Sequence, residues 1–141
     1  MEILTVPAYH LLTLLSLAEG RGLSRESLLS SCSLSASIFE SETAPVPFTS
    51  FISLANAVMI AMEDESCGML PKPVKLGSFA LLCQSCLDCK TLGHFLRRRI
   101  KVLGLISDDI KVRLREENDL VCYEIEANGD SARLDQHIII I

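Results

Sequence analysis

The spacing of apolar side chains changes once along this chain, near Gly104, and that change limits the folds open to it. Before Gly104 the apolar positions recur about every 3.6 residues, as in helices, and after it they recur at every second residue, as in strands. The strand-like part comes late and does not alternate with helices, so the pattern does not predict βαβ units. It predicts an α+β fold: N-terminal helices followed by a late antiparallel β-hairpin, in a single domain.

Capping residues and helix breakers place the helices. Pro7 favours a first helical turn, and Gly20 ends the leucine-rich run behind it. A longer helix is predicted over residues 48–62, after an extended segment with two prolines at residues 44–47. Four further helical segments are predicted to begin at N-cap side chains: Ser24, Ser35, Ser78 and Thr91. The prolines between Gly68 and Gly77 indicate a loop.

The predicted hairpin consists of two alternating runs around a polar turn. In residues 110–115, apolar side chains alternate with Lys and Arg, and residues 120–125 alternate again. Between them, Glu116-Glu117-Asn118-Asp119 has the composition of a turn. We therefore expect two antiparallel strands with one apolar and one polar face.

Composition excludes several classes of protein. The chain has 141 residues, 49% of them hydrophobic, with a mean hydropathy of +0.36 and a net charge of −5. This apolar content argues against disorder, and no apolar run approaches the roughly 20 residues that a bilayer requires. The acidic balance argues against nucleic-acid binding by this chain alone. Without a basic n-region before the first apolar run, we expect a cytoplasmic protein with reduced cysteines.

Three cysteines, Cys83, Cys86 and Cys89, have a spacing that could serve a zinc, iron–sulfur or redox site. They lie on or just after a predicted helix, where such residues more often pack as small apolar side chains. A fourth ligand would have to be Cys67 or His94. Packing is the preferred interpretation, and Cys89, in the turn after the helix, is expected to be the most exposed of the three.

No catalytic pattern is present, so the sequence does not predict an enzyme. The histidines His10, His94 and His137 are not near a recognisable nucleophile motif, and the carboxylate runs suit helix ends and turns. The basic cluster of residues 97–101 has two interpretations. It forms a solvated helix face, or one of its arginines binds an acidic ligand or a partner's carboxylate.

Several segments in this order resemble a known family. They are Leu14 to Leu23 (LLSLAEGRGL), Val46-Pro47-Phe48, Cys67-Gly68-Met69, Gly77 to Leu82 (GSFALL) and Thr91 to Leu96 (TLGHFL). Together they resemble the N-terminal regulatory domain of AraC/XylS-type transcription regulators, in the mostly helical group labelled as an arabinose-binding domain. His94 stands where Glu is common in that family and Ala80 where Gly is common, so no sugar site is transferred.

The resemblance implies a function. Such proteins are bacterial cytoplasmic regulators whose N-terminal domain senses a small-molecule effector and often forms a homodimer. A C-terminal domain with two helix-turn-helix units binds DNA. Because this chain is acidic and ends in four isoleucines, we expect the DNA-binding domain to lie outside it, with residues 1–141 forming the regulatory domain.

We expect the effector between the helices and the hairpin, in an apolar pocket with a few polar groups. The predicted ligand-binding residues are Phe79, Cys83, His94, Arg98 and Tyr123. No metal, other cofactor or membrane partner is predicted, and DNA is expected only as a partner of the missing domain. Two alternatives stay open: a cysteine-based metal or redox sensor, and a dimerisation domain without a ligand.

Overall fold

A computed structural model describes residues 4–117 and 120–127 of the chain, apart from the side chains of residues 117 and 127. The elements in chain order are β1 (Thr5–Pro7), α1 (Ala8–Glu19), α2 (Arg25–Ser31), a 3-10 turn (Ala36–Phe39), β2 (Pro45–Pro47), α3 (Phe48–Met62), α4 (Ser78–Cys86), α5 (Leu92–Ile106), β3 (Ile110–Glu117) and β4 (Leu120–Ala127). Within these residues there are five α-helices and two small antiparallel strand pairs, the second of them late in the chain. The predicted α+β fold is confirmed.

The chain divides into two compact units, an N-terminal unit (Met1–Gly68) and a C-terminal unit (Met69–Ile141). The boundary falls at the start of the proline-punctuated loop that the sequence predicts. That loop indicates an interruption of regular structure, but nothing in the apolar pattern indicates that the chain divides there into two compact units. The two units are therefore described separately.

The N-terminal unit is built on the contact of α1 with α3, to which α2 adds a third helix. Its largest fully buried apolar side chains come from α1, β2 and α3: Leu11, Leu15, Val46, Leu54 and Val58. Val46 lies in β2, where the flanking prolines hold the backbone extended and turn this one side chain inward. The extended segment is confirmed, whereas its antiparallel pairing with β1 was not predicted.

Three of the four predicted N-caps are confirmed. Ser24 and Thr91 each accept the backbone N–H three residues ahead, and Ser35 caps the 3-10 turn. The prediction for Ser78 is wrong. Helix α4 begins at Ser78 itself, and its cap is Gly77, whose φ of +91° lies in the left-handed region that glycine adopts without strain.

In the C-terminal unit, α4 and α5 pack together and β3 packs against α5. The predicted hairpin is confirmed, and each strand is two residues longer than predicted; residues 118 and 119 of the predicted turn lie outside the described residues. Because directly paired residues share a face, Val112 and Leu114 lie on the same face as their partners Ile125 and Tyr123.

The opposite face of the hairpin is charged. Arg113 lies 3.5 Å from the Glu126 carboxylate, and Arg115 lies 2.6 Å from that of Glu124. Exposed pairs of this kind contribute little to stability. They nevertheless show that the predicted separation into an apolar and a polar face holds in the folded chain.

A buried aspartate organises the turn after α3. The Asp64 carboxylate, 1% exposed, accepts the Ser66 amide at 2.8 Å, the Ser66 hydroxyl at 2.7 Å and the Gly68 amide at 2.9 Å. Gly68 has a φ of +78°, and a Cβ atom there would lie 2.8 Å from the terminal methyl of Met62. The turn therefore needs both the carboxylate and the glycine.

We expect Asp64→Ala to lower the free energy of unfolding by about 3 kcal/mol, because it leaves two amides and a hydroxyl without their acceptor. Urea unfolding followed by circular dichroism measures the loss. The control is Glu42→Ala, which removes a carboxylate from an exposed position and should change stability by less than about 0.5 kcal/mol. Equal losses in both variants would contradict the assignment of the turn to Asp64.

Candidate functional site

A groove with a volume of about 480 Å³ lies within the C-terminal unit, between α5 and β3. It is open on one side and combines charged with aliphatic side chains. The residues that line it are His94, Arg97, Arg98, Ile100, Lys101, Val112 and Leu114. All of them belong to the helix and to the strand packed against it.

The polar side of the groove follows from helical spacing. Positions 94, 97, 98 and 101 stand in the relation i, i+3, i+4 and i+7, so they form one stripe along α5. The apolar side combines Ile100 of the helix with Val112 and Leu114 of the inner face of the hairpin. Three cations and His94 on this helix stripe thus face aliphatic side chains across the groove.

Arg98 is held by groups of the protein itself. One of its Nη atoms donates to the Ser85 carbonyl oxygen at 2.9 Å and to the Asp88 carboxylate. Its other Nη atom lies 3.2 Å from Nε2 of His94. Because a guanidinium can only donate, Nε2 of His94 must accept this hydrogen bond. Arg98 therefore connects the end of α4 to α5 and orients the imidazole.

The neighbouring cations Arg97 and Lys101 are not balanced in this way. Both are exposed, and neither forms an ion pair with any residue that the structure describes. The Arg97 side chain lies back over the first turn of α5, where a Cβ atom at Gly93 would be 3.4 Å from both of its Nη atoms. The groove thus holds two cations, one turn apart, that are available to an anion.

Of the five predicted ligand-binding residues, the structure brings two to this groove, His94 and Arg98. Phe79 is 67% exposed and Cys83 is also exposed, and both lie on α4 away from the groove lining. Tyr123 is directly opposite Leu114 in the hairpin but does not line the groove.

Tyr123 is buried beneath a cation. Its ring lies 5.5 Å from the Arg99 guanidinium, and burial raises the pKa of its phenol. Among the described residues its hydroxyl has no hydrogen-bond partner. Arg99 thus projects to a different side of α5 from Arg97, Arg98 and Lys101, as the helical spacing predicts.

Five of the lining residues were not predicted from the sequence: Arg97, Ile100, Lys101, Val112 and Leu114. Helical spacing could have identified the two cations, because Arg97 and Lys101 share a helix flank with the predicted residues His94 and Arg98. No comparable pattern in the sequence identifies the hairpin residues Val112 and Leu114. Alternation indicates which face of a strand is apolar, but not which helix covers that face.

Comparison with known proteins identifies the family. The family described as "Arabinose-binding domain of AraC transcription regulator, N-term" matches residues 22–140 of the chain. The chain belongs to this family. The match confirms the resemblance drawn from the sequence, although the similar segment before residue 22 lies outside the matched range. No curated protein and no solved structure matches the chain.

The cysteines of this AraC-type domain differ in their surroundings. Cys86 is buried with Leu82 on the inner side of α4, Cys83 is exposed and Cys89 is half-buried. The packing interpretation is therefore confirmed for Cys86 and wrong for Cys83. The expectation that Cys89 is the most exposed is also wrong, because its amide donates to the Cys86 carbonyl oxygen and folds the turn back against the helix.

The described part of this AraC-type domain shows neither a metal-binding cluster nor a membrane-spanning helix. Within residues 4–117 and 120–127, no three His, Cys, Asp or Glu side chains are grouped so that they could hold a metal ion. In the same residues, every helix is too short or too polar to span a bilayer.

These surroundings predict how the thiols react. In dilute native protein, N-ethylmaleimide should modify Cys83 fastest and Cys86 slowest, because only the first is open to solvent. Cys89 should be intermediate, since desolvation raises the pKa of its thiol. Peptide mass mapping over time measures the three rates, and urea-unfolded protein is the control in which they converge. Equal rates in the native protein would contradict this order.

Proposed function

We propose that this chain is the effector-sensing regulatory domain of an AraC-type transcription regulator, and that its effector binds in the α5–β3 groove. The observation that supports this most directly is the groove itself. Its volume lies within the roughly 300–1,000 Å³ of typical ligand sites, and it joins an aliphatic wall to a few polar groups. Family membership supports the regulatory role.

The proposed mechanism is a shift between two populations. The two populations differ in how β3 packs on α5. A ligand that contacts both elements favours the conformation to which it binds more tightly, and only the difference between its two affinities can change the equilibrium between the conformations. The hairpin is the last element described before the proposed C-terminal DNA-binding domain. A change in its packing on α5 is therefore a direct route from the groove to that domain.

We further propose that this regulator acts in a bacterial cytoplasm and contacts DNA through a separate domain. The net charge of −5 supports this division. Two cations of the outer hairpin face, Arg113 and Arg115, are already paired with glutamates. The groove contains no nucleophile paired with a base, so no enzymatic activity is proposed.

Blocking the groove tests the proposed site. Val112→Trp places a large ring in the groove, whereas Val121→Trp adds the same ring at an exposed position of the same hairpin. Thermal unfolding is measured with a panel of sugars, amino acids and aliphatic carboxylates that includes L-arabinose. We expect at least one compound to raise the Tm of the wild type and of Val121→Trp but not of Val112→Trp.

The two variants are first compared without ligand, so that a loss of stability is not taken for a loss of binding. If no compound raises the Tm of the wild type, or if the compound that does so acts equally on Val112→Trp, the proposal of an effector site in this groove fails.

A specific observation favours dimerisation as a second role. Phe79 and Cys83 of α4 and Leu87, which directly follows that helix, stand four residues apart, and all three are exposed, with Phe79 at 67% and Leu87 at 84%. This spacing places them in one apolar stripe on the helix surface. We propose that the stripe is where a second copy of the chain binds, with or without an effector.

We expect the wild type to sediment as a dimer and Phe79→Ser to weaken that dimer about tenfold or more, because a buried Phe contributes about 1.5–3 kcal/mol. Leu105→Ser, which removes an 87% exposed leucine from α5, is the matched control and should leave the dimer intact. A monomer at all concentrations, or equal weakening by both variants, would contradict the proposed interface.

A further inference from the structure

We infer that the groove binds an anion with an aliphatic part, of the class of medium-chain carboxylates, and not the neutral sugar of the family's description. This inference rests on the proposed function, because it names the chemical class of the effector for that same groove. It is argued from the charge, the hydrogen-bonding capacity and the apolar surface of the lining residues.

The charge of the lining favours an anion. Every described side chain of the lining that carries a permanent charge is a cation, and no carboxylate among the described residues lines the groove. The charge of Arg98 is balanced by Asp88, whereas Arg97 and Lys101 have no ion-pair partner within the described part of the chain. A neutral ligand would leave both cations unpaired. A carboxylate would form charge-assisted hydrogen bonds with them.

The lining offers few acceptors to the hydroxyl groups of a sugar. A sugar carries several hydroxyl groups, each of which donates as well as accepts, and a desolvated donor without a partner costs about 1–3 kcal/mol. Among the described side chains of the lining the only acceptor is Nε2 of His94, and it already accepts from Arg98. A carboxylate has no donor to satisfy, so this set of side chains suits it.

The positions of the two cations suit a single carboxylate. Arg97 and Lys101 are four residues apart on α5, which places their Cβ atoms about 6 Å from each other on one helix flank. When the Arg97 side chain turns from its position over Gly93 toward Lys101, one carboxylate can accept from both. The aliphatic side chains of Ile100, Val112 and Leu114 stand beside this position, so a hydrocarbon chain attached to the carboxylate would lie against them. Among the described residues of the lining there is no Phe, Tyr or Trp ring on which a sugar could stack.

Isothermal titration of the wild-type chain with sodium octanoate tests the inference. Butanoate and hexanoate complete the series, and octan-1-ol and L-arabinose are the uncharged comparison ligands. We expect octanoate to bind, octan-1-ol to bind at least about tenfold more weakly, and L-arabinose not to bind. Affinity should rise by about two- to fourfold per added methylene, according to how much of the chain the open groove covers.

Three matched variants locate the bound carboxylate. Arg97→Gln and Lys101→Gln each remove one groove cation and should weaken octanoate binding by roughly five- to tenfold. Lys111→Gln removes a cation from the outer face of the same hairpin and should leave the affinity unchanged. Val112→Trp should abolish octanoate binding, which excludes attachment to apolar side chains elsewhere on the surface.

The outcomes separate this inference from the proposed function. If octanoate does not bind, if octan-1-ol binds equally well, or if the two groove variants bind octanoate like the wild type, the inference is overturned. If L-arabinose or another neutral compound binds the wild type and Val112→Trp abolishes that binding, the inference is also overturned, but the sensing function stands. If no compound of the panel binds, both fail.

Discussion

The contact on which the C-terminal unit depends is that of Arg98 with the end of α4. The last carbonyl groups of a helix lack partners within the helix and carry partial negative charge, so a guanidinium is a favourable partner there. By donating to the Ser85 carbonyl and to Asp88, Arg98 fixes α5 against α4. Asp88 thus balances the charge of Arg98. Arg97 and Lys101, on the same flank, have no ion-pair partner among the described residues.

The hairpin gives the groove its apolar side, because its own cations lie on the opposite face. Successive side chains of a strand point to opposite faces, so residues 110–116 present Val112 and Leu114 to α5 while Lys111, Arg113 and Arg115 point away. A shift of one residue in the strand pairing would bring cations onto the helix. The groove therefore depends on the register as much as on the identity of its residues.

Family membership supports a regulatory domain, whereas the ligand that the proposed site suits differs from the one in the family's description. The description of the family names arabinose, whereas the groove offers cations, aliphatic side chains and one acceptor that is already occupied. A family shares a fold and a mode of regulation more readily than a ligand, because a few side chains on a common scaffold decide what is bound. The departures at Ala80 and His94, noted in the sequence, agree with an effector of its own.

The sequence by itself determined the helices, the late hairpin and their order, because apolar period, caps and breakers act over a few residues. The helix over residues 48–62, the caps at Ser24 and Thr91, and the late hairpin were predicted for this reason. It also indicated the family and two groove residues, His94 and Arg98. Only the tertiary structure decided the division at Gly68, the exposure of Cys83 and the pairing of α5 with β3. These features depend on contacts between residues distant in the chain. No local pattern specifies which helix packs against which apolar face of a strand.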